Sequence, residues 1–388
     1  MNTEYIFYDI LTAIELPARA YDLAKKRYED LGEYLSRPES DIAQFNPKIS
    51  PQGSFRLGTA IRPLGREEYD VDLNCVLRDG ITEKTISQKN LKKLVGNELK
   101  EYRRERNINA PLEEKRRCWR LLYADEMSFH LDIVPGIPAP EEQRDIIKSN
   151  MGKHGALSSV FQETLSRLAL YITDNEDPNF EYITDSWHIS NPEGYARWFE
   201  SRMMPATTDL VKASVDEIPE QTSKKPLQQV IQLLKRHRDV MYSHPDAISD
   251  LKPISIIITT LAAKAYEGED NLTDAIPAIL LRMGQGINNT EPRVPNPVNP
   301  EEDFADKWKS ESALEKHFRN WLAQAQRDLN CLLDSSQQDY WTRIAKEGFK
   351  VTLDKEKIES ISQGSLSGAA ATGPTLLISP DSAKPWGN

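Results

Sequence analysis

A chain of 388 residues, 39% hydrophobic and 28% charged, has the composition of a soluble globular protein and is long enough to bury its core in two lobes. Its net charge of −11 argues against a protein that coats DNA or RNA by neutralising phosphates, and against activation by either polymer. A small nucleotide carried with Mg²⁺ stays compatible with that charge.

Cys75, Cys118 and Cys331 stand far apart and outside any CxxC or CxxH pattern, as intracellular thiols do. Met1 to Tyr5 lacks the basic and apolar regions of a signal peptide. The longest apolar run, Ile254 to Ala263, is about half the length of a bilayer span. A cytoplasmic location with no membrane partner is the expectation.

In chain order, Pro17 opens a helical pattern in which Tyr21, Ala24, Tyr28, Leu31 and Leu35 share one face, ending near Pro38. A strand and turn follow around Gly53-Ser54, then a strand carrying Asp70 and Asp72. Lys89 to Arg106 is charged and helical in character. The basic residues from Lys89 to Arg120 read as a solvated mixed-charge face, with contact to a polyanion as the alternative. Met127 to Val134 reads as a strand stopped by Pro135-Gly136. Residues 155–175 read as one helix, and an irregular region holding Trp187 and Trp198 comes next.

After Pro226 the pattern is helical again, with Leu227, Val230, Ile231, Leu234 and His237 on one face. Ile254 to Tyr266 forms a second, more buried helix. Four prolines from Pro292 to Pro300 predict an extended loop. Asn299-Pro300-Glu301-Glu302 then carries the marks of a helix start, with Asn299 as cap and Asp303 in the first turn. Trp308 to Leu333 reads as a last long helix, and the segment from Ser360 onward, rich in Ser, Gly, Ala and Pro, reads as a flexible tail.

The chemistry concentrates in two short stretches. Side chains alternate along a strand, so Asp70 and Asp72 share a face while Tyr69, Val71 and Leu73 turn toward a core. Two neighbouring carboxylates repel unless a cation lies between them. The Gly53-Ser54 turn offers backbone N–H groups and a hydroxyl to phosphate oxygens. Asp132, between Leu131 and Ile133, repeats the apolar-acid-apolar pattern, and an acid so placed is costly without a partner. Mg²⁺ takes hard oxygen ligands and few carboxylates. Two such ions serve nucleotidyl transfer, one acidifying the attacking hydroxyl and one steadying the leaving pyrophosphate. Asp70, Asp72 and Asp132 are therefore the candidate metal ligands and catalytic acids; a solvated strand edge is the plainer alternative.

Gly53-Ser54, Asp70-Val71-Asp72 and the separated Asp132 resemble the polymerase-β-like nucleotidyltransferase superfamily. Within it, Gln52-Gly53-Ser54-Phe55-Arg56-Leu57-Gly58-Thr59-Ala60-Ile61-Arg62-Pro63 is similar to the bacterial CD-NTases, relatives of cyclic GMP–AMP synthase. Leu233-Leu234-Lys235-Arg236-His237 with Pro253-Ile254-Ser255-Ile256, and Asn296 to Phe304, resemble later elements of the same group. The likeness runs over roughly residues 15 to 335, with a connection from Ser54 to Asp70 longer than the superfamily's usual one.

The resemblance implies an α+β fold: a nucleotidyltransferase lobe with a mixed sheet flanked by helices, a second helical lobe, and the active site in the cleft between them. The implied divisions are 1–210 with the N-terminal long helix, 211–350 for the helical lobe and 351–388 for the tail. It implies a synthase of cyclic di- or trinucleotides that uses NTPs and two Mg²⁺ ions, with Mn²⁺ as a substitute, releases pyrophosphate and makes a second messenger in anti-phage (CBASS-type) defence. Asp70, Asp72 and Asp132 would hold the metals, and Asp132 would help deprotonate the attacking ribose hydroxyl. Ser54 and the Gly53 backbone would bind donor phosphates, Gln52 would lie beside a nucleotide, and Lys235 and Ser255 would clamp the triphosphate.

Each softer assignment has a plain counterpart. Lys235 also fits a solvated cationic helix face, Ser255 a bond back to the preceding turn, and His130 a packed strand histidine. An RNA-tailing or small-molecule nucleotidyltransferase is the alternative enzyme. A non-catalytic nucleotide-binding scaffold acting through its tail is the alternative of another class. The ending Lys384-Pro385-Trp386-Gly387-Asn388 is the place expected for a conjugation or regulatory partner.

Overall fold

The computed structural model describes residues 3–65, 68–124, 127–153, 157–204, 224–334 and 338–353. The expected tail beyond Leu353, with its ending Lys384 to Asn388, lies outside the described residues. No described helix is long and apolar enough to cross a membrane.

Helix α1 (Glu4–Ile14) buries Ile6, Phe7, Ile10, Leu11 and Ile14 at helical spacing. Pro17, with its fixed φ, turns the chain into α2 (Ala18–Leu35), the long helix anticipated after it. Strand β1 (Pro47–Pro51) leads into the one-turn helix α3 (Gly53–Arg56), and β2 (Tyr69–Leu77) runs back antiparallel to β1. Helix α4 (Gln88–Glu105) starts where the Ser87 hydroxyl accepts the Asn90 N–H at 3.3 Å, and buries Leu91, Val95, Leu99 and Tyr102. Strands β3 (Glu113–Glu114), β4 (Trp119–Tyr123) and β5 (Phe129–Pro138) complete most of the sheet, in the order β1-β2-β5-β4-β3. The β2–β5 pair is parallel and the others are antiparallel, so the sheet is mixed.

Past α5 (Glu141–Lys153) and α6 (Ser159–Ser166), β6 (Leu170–Ile172) and β7 (His188–Ser190) extend the sheet before α7 (Pro192–Ser201). The helical part comprises α8 (Pro226–Tyr242), α9 (Ser255–Ala265) and α10 (Leu272–Met283). A small hairpin of β8 (Pro295–Asn296) and β9 (Asn299–Asp303) leads to α11 (Ser312–Leu333) and α12 (Gln338–Phe349). Helix α8 is its axle: α1, α9, α10, α11 and α12 all pack on it, and Leu227, Val230, Ile231, Leu233 and Leu234 are fully buried.

Five expectations need correction. The β5 strand does not stop at Pro135-Gly136, because β6 takes over its edge there; a Cβ on Gly136 would stand 2.9 Å from the Tyr171 carbonyl, so glycine permits the approach. Residues 155–175 are not one helix: α6 ends at Ser166 and β6 follows. The region between Trp187 and Trp198 is regular, since Asn191 accepts the Gly194 N–H at 3.0 Å and Pro192 opens α7. Asn299-Pro300 starts a strand rather than a helix. The Asp303 carboxylate accepts from the Arg293, Val294 and Ala305 N–H groups at 2.6, 2.9 and 2.9 Å, which fastens the hairpin. The long helix expected from Trp308 begins only at Ser312, and α12 follows it.

Candidate active site

Parallel register sets Asp70 opposite His130 and Asp72 opposite Asp132. One ligand oxygen from each of Asp70, Asp72 and Asp132 lies within 4.8 Å of the other two. Asp70 reaches solvent at the cleft mouth, Asp72 is half-buried and Asp132 is buried. Burial, and then the Asp70 and Asp132 charges, push Asp72 up to about 7 from an ordinary 3.8. The desolvating cleft walls, and then the Asp132 charge, raise Asp70 as well. Opposite sits Arg120 on β4, the register partner of Asp132, whose guanidinium donates to both Asp132 oxygens at 2.7 and 2.6 Å. With three carboxylates against that one paired guanidinium, the site is short of positive charge and rich in hard oxygen donors, which fits a divalent cation.

The turn beside the acids is built for close approach. The Gln52 N–H donates to the Asp72 carbonyl at 2.8 Å, tying the entry of α3 to β2. Gly53 has φ +61, and a Cβ there would meet Asp72 Oδ2 at 2.4 Å. Arg56, at the end of the same turn, forks Glu193 at 3.1 and 3.1 Å and reaches Glu200 at 2.5 Å, anchoring α3 to α7. A cavity of about 150 Å³ is lined by Ser54, Ala60, Ile61, Glu68, Asp70 and Lys235, with further residues. The structure thus brings Ser54, Asp70 and Lys235 to one space, with Gln52 and Gly53 set against Asp72 and outside the cavity lining.

Helix α8 holds the segment after the turn by four side-chain donors. Gln228 donates to the Leu57 carbonyl at 2.9 Å, Lys235 to Thr59 at 2.9 Å, Gln232 to Ala60 at 2.8 Å and Arg236 to Arg62 at 2.5 Å. Lys235 is accordingly a buried ammonium, not a solvated helix face. Ser255 opens α9, where its hydroxyl accepts from Arg238 at 2.8 Å, standing on that guanidinium rather than at the cavity wall. His130 Nε2 meets the Glu68 carboxylate at the cleft mouth.

Sequence reasoning missed Arg120 and Glu68. The pattern Trp119-Arg120-Leu121, polar between two apolar residues on a strand, carries the same alternation as Leu131-Asp132-Ile133 and could have marked Arg120. Glu68 lies two residues before Asp70, in phase with both acids of β2.

The buried ammonium gives a testable consequence. Burial, and then the Arg238 charge, bring Lys235 down from 10.5 to about 7, against the pull of Asp239 and Asp72. Between those pH values the unfolded chain binds the proton that the folded chain releases, so this group's contribution to stability rises with pH from about 7 toward 10.5. Denaturant unfolding should show the wild-type protein gaining on Lys235→Met across that window. A difference independent of pH would overturn the assignment.

Comparison with known proteins follows the same lines. Residues 47–135 match the family described as cyclic GMP-AMP synthase DncV-like, nucleotidyltransferase domain. A c-di-GMP synthase of Roseivirga ehrenbergii is 30% identical over 324 residues, covering 80% of this chain and 74% of that protein. The cyclic dinucleotide synthase CdnG of Bradyrhizobium diazoefficiens is 26% identical over 325 residues, covering 78% and 69%. The structure of the Bradyrhizobium diazoefficiens CD-NTase CdnG in complex with GTP superposes with a TM-score of 0.62 at 20% identity, over 94% of this chain and 98% of that one. That likeness carries the fold.

Proposed function

The chain belongs to the CD-NTases, within the polymerase-β-like nucleotidyltransferases, and from that premise we propose that it joins nucleoside triphosphates into a cyclic dinucleotide. The observation that carries the reading is the convergence of Asp70, Asp72 and Asp132 beside the cavity shared by Ser54 and Lys235. The names of the two relatives favour a dinucleotide over a trinucleotide. The proposed role is a second messenger in anti-phage (CBASS-type) defence.

In this reading the sheet lobe over 1–210 presents the acids and the phosphate turn, and the helical lobe over 211–350 presents Lys235. Asp70, Asp72 and Asp132 would hold two Mg²⁺ ions, or Mn²⁺, which when bound supply an acidified hydroxyl and charge neutralisation on the departing pyrophosphate. Ser54 and the Gly53 backbone seat the donor triphosphate, Lys235 faces it from α8 with Ser255 set back on α9 against the Arg238 guanidinium, and Gln52 borders the nucleotide. The ribose hydroxyl oxygen of the acceptor attacks the donor α-phosphorus, its proton passes to Asp132, the bond to the bridging oxygen breaks and pyrophosphate leaves. A second attack within the linear product closes the ring.

The RNA-tailing alternative loses ground on one observation. The cations between Lys89 and Arg120 are largely engaged within the protein. Lys92 is buried on the Lys115 and Arg116 carbonyls, and Arg103 donates to those of Ile108 and Ala110. Arg106 pairs with Asp30, and Arg116 and Arg117 pair with Asp174. A strand-binding enzyme needs such charges free for phosphates.

Incubating the purified protein with NTPs singly and in pairs, with Mg²⁺, should yield phosphatase-resistant dinucleotides identifiable by mass. Extension of added RNA with no cyclic product would replace this reading with the tailing one.

A further inference from the structure

Arg120 has no part in the chemistry above, yet it touches its most buried acid. Nε and Nη2 close on both Asp132 oxygens, and this pair is the main cause of the guanidinium's raised pKa. Among the described residues it is the one cation ion-paired to any of the three acids; the Lys235 ammonium donates to the Thr59 carbonyl. A guanidinium fork takes the lone pairs in the carboxylate plane. A divalent ion bound to the same oxygens at about 2.0–2.1 Å would lie within a few ångströms of the guanidinium charge. The ion pair and the metal compete for Asp132.

We propose that Arg120 is a positioning residue that latches Asp132 in the empty site and transfers to the nucleotide's phosphate oxygens when metal and triphosphate enter together. The proposal rests on the nucleotidyltransferase reading of the site. Its chemistry is exchange of one oxyanion partner for another: the fork that matches a carboxylate also matches a phosphate, and Arg120 keeps 29% of its side chain exposed while it holds Asp132. Metal alone is then held weakly by the wild-type protein, and metal and nucleotide strengthen each other's binding by the same factor.

The test is Mn²⁺ titration of the full chain, followed by electron paramagnetic resonance, with and without an NTP analogue that cannot be cleaved at the α-phosphate. Without nucleotide, Arg120→Gln should bind Mn²⁺ about tenfold or more tightly than wild type, because the competing positive charge is gone. With the analogue present that advantage should vanish, and the variant should bind the analogue more weakly. Arg120→Lys, which keeps the charge but not the fork, should fall between the two and stands in should the glutamine variant fail to fold. In an Asp132→Asn background the Arg120 effect should disappear. Equal Mn²⁺ affinity in wild type and Arg120→Gln, with the analogue still bound, would overturn the latch and leave the functional reading intact. Failure of both proteins to bind Mn²⁺ or the analogue would overturn the functional reading itself.

Discussion

Replacing Asp70 and Asp72 together by asparagine is expected to lower nucleotidyl transfer by at least about a thousandfold, since the step depends on charge held at one place. The same variant should fold as well as the native chain, or better. Asp72 titrates at about 7 in the folded protein against an ordinary 3.8, so the folded state binds the proton better between those values. In the absence of metal, native stability then falls as pH rises through that window, and it stays lower above the window. Asparagine removes this slope. Thermal unfolding without metal should therefore favour the double variant more at pH 8 than at pH 5, while product analysis by mass shows no cyclic dinucleotide. Persistent synthesis by the folded variant would mean that the acids are misassigned.

Gly53→Ala is expected to cost about a hundredfold in activity, out of proportion to one added methyl group. Two effects act at this position. The φ of +61 strains any L-residue, by about 1–2 kcal/mol. The new Cβ would also lie 2.4 Å from Asp72 Oδ2, a distance real structures do not hold, so the carboxylate or the turn must move. Either movement separates Asp72 from Asp132 or lifts Ser54 from its proposed place at the donor phosphates. Steady-state kinetics beside a thermal unfolding curve distinguishes this from simple loss of fold; near-native turnover would show that the turn relaxes without disturbing the acids.

Much of the site was readable because it rests on local rules. Alternation along β2 places Asp70 and Asp72 together, and the Gly-Ser turn announces itself within two residues. The third acid was readable as a pattern, but its pairing with Asp72 depends on parallel register between strands some sixty residues apart. Arg120 needed a second register, that of β4 against β5, and Lys235 needed the position of the Thr59 carbonyl. None of these is encoded by neighbouring residues. The error at Asn299-Pro300 has a different origin: a side-chain oxygen accepting backbone N–H groups serves helix caps and tight turns alike. Here Asn296 accepts from Val298 at 3.0 Å and Asp303 gathers three amides, so the cap chemistry builds a hairpin. Helix α1 was missed although its signal was present, with Ile6, Phe7, Ile10, Leu11 and Ile14 at helical steps.

Gripped by four donors of α8, the segment from Leu57 to Arg62 has little freedom to swing by itself. The turn after Gly53 and helix α8, which face each other across the cavity, thus form a single mechanical part, further riveted by Lys224 and Gln232 on Glu15. Under the proposed function, a triphosphate would enter a slot whose height these bonds set before it arrives.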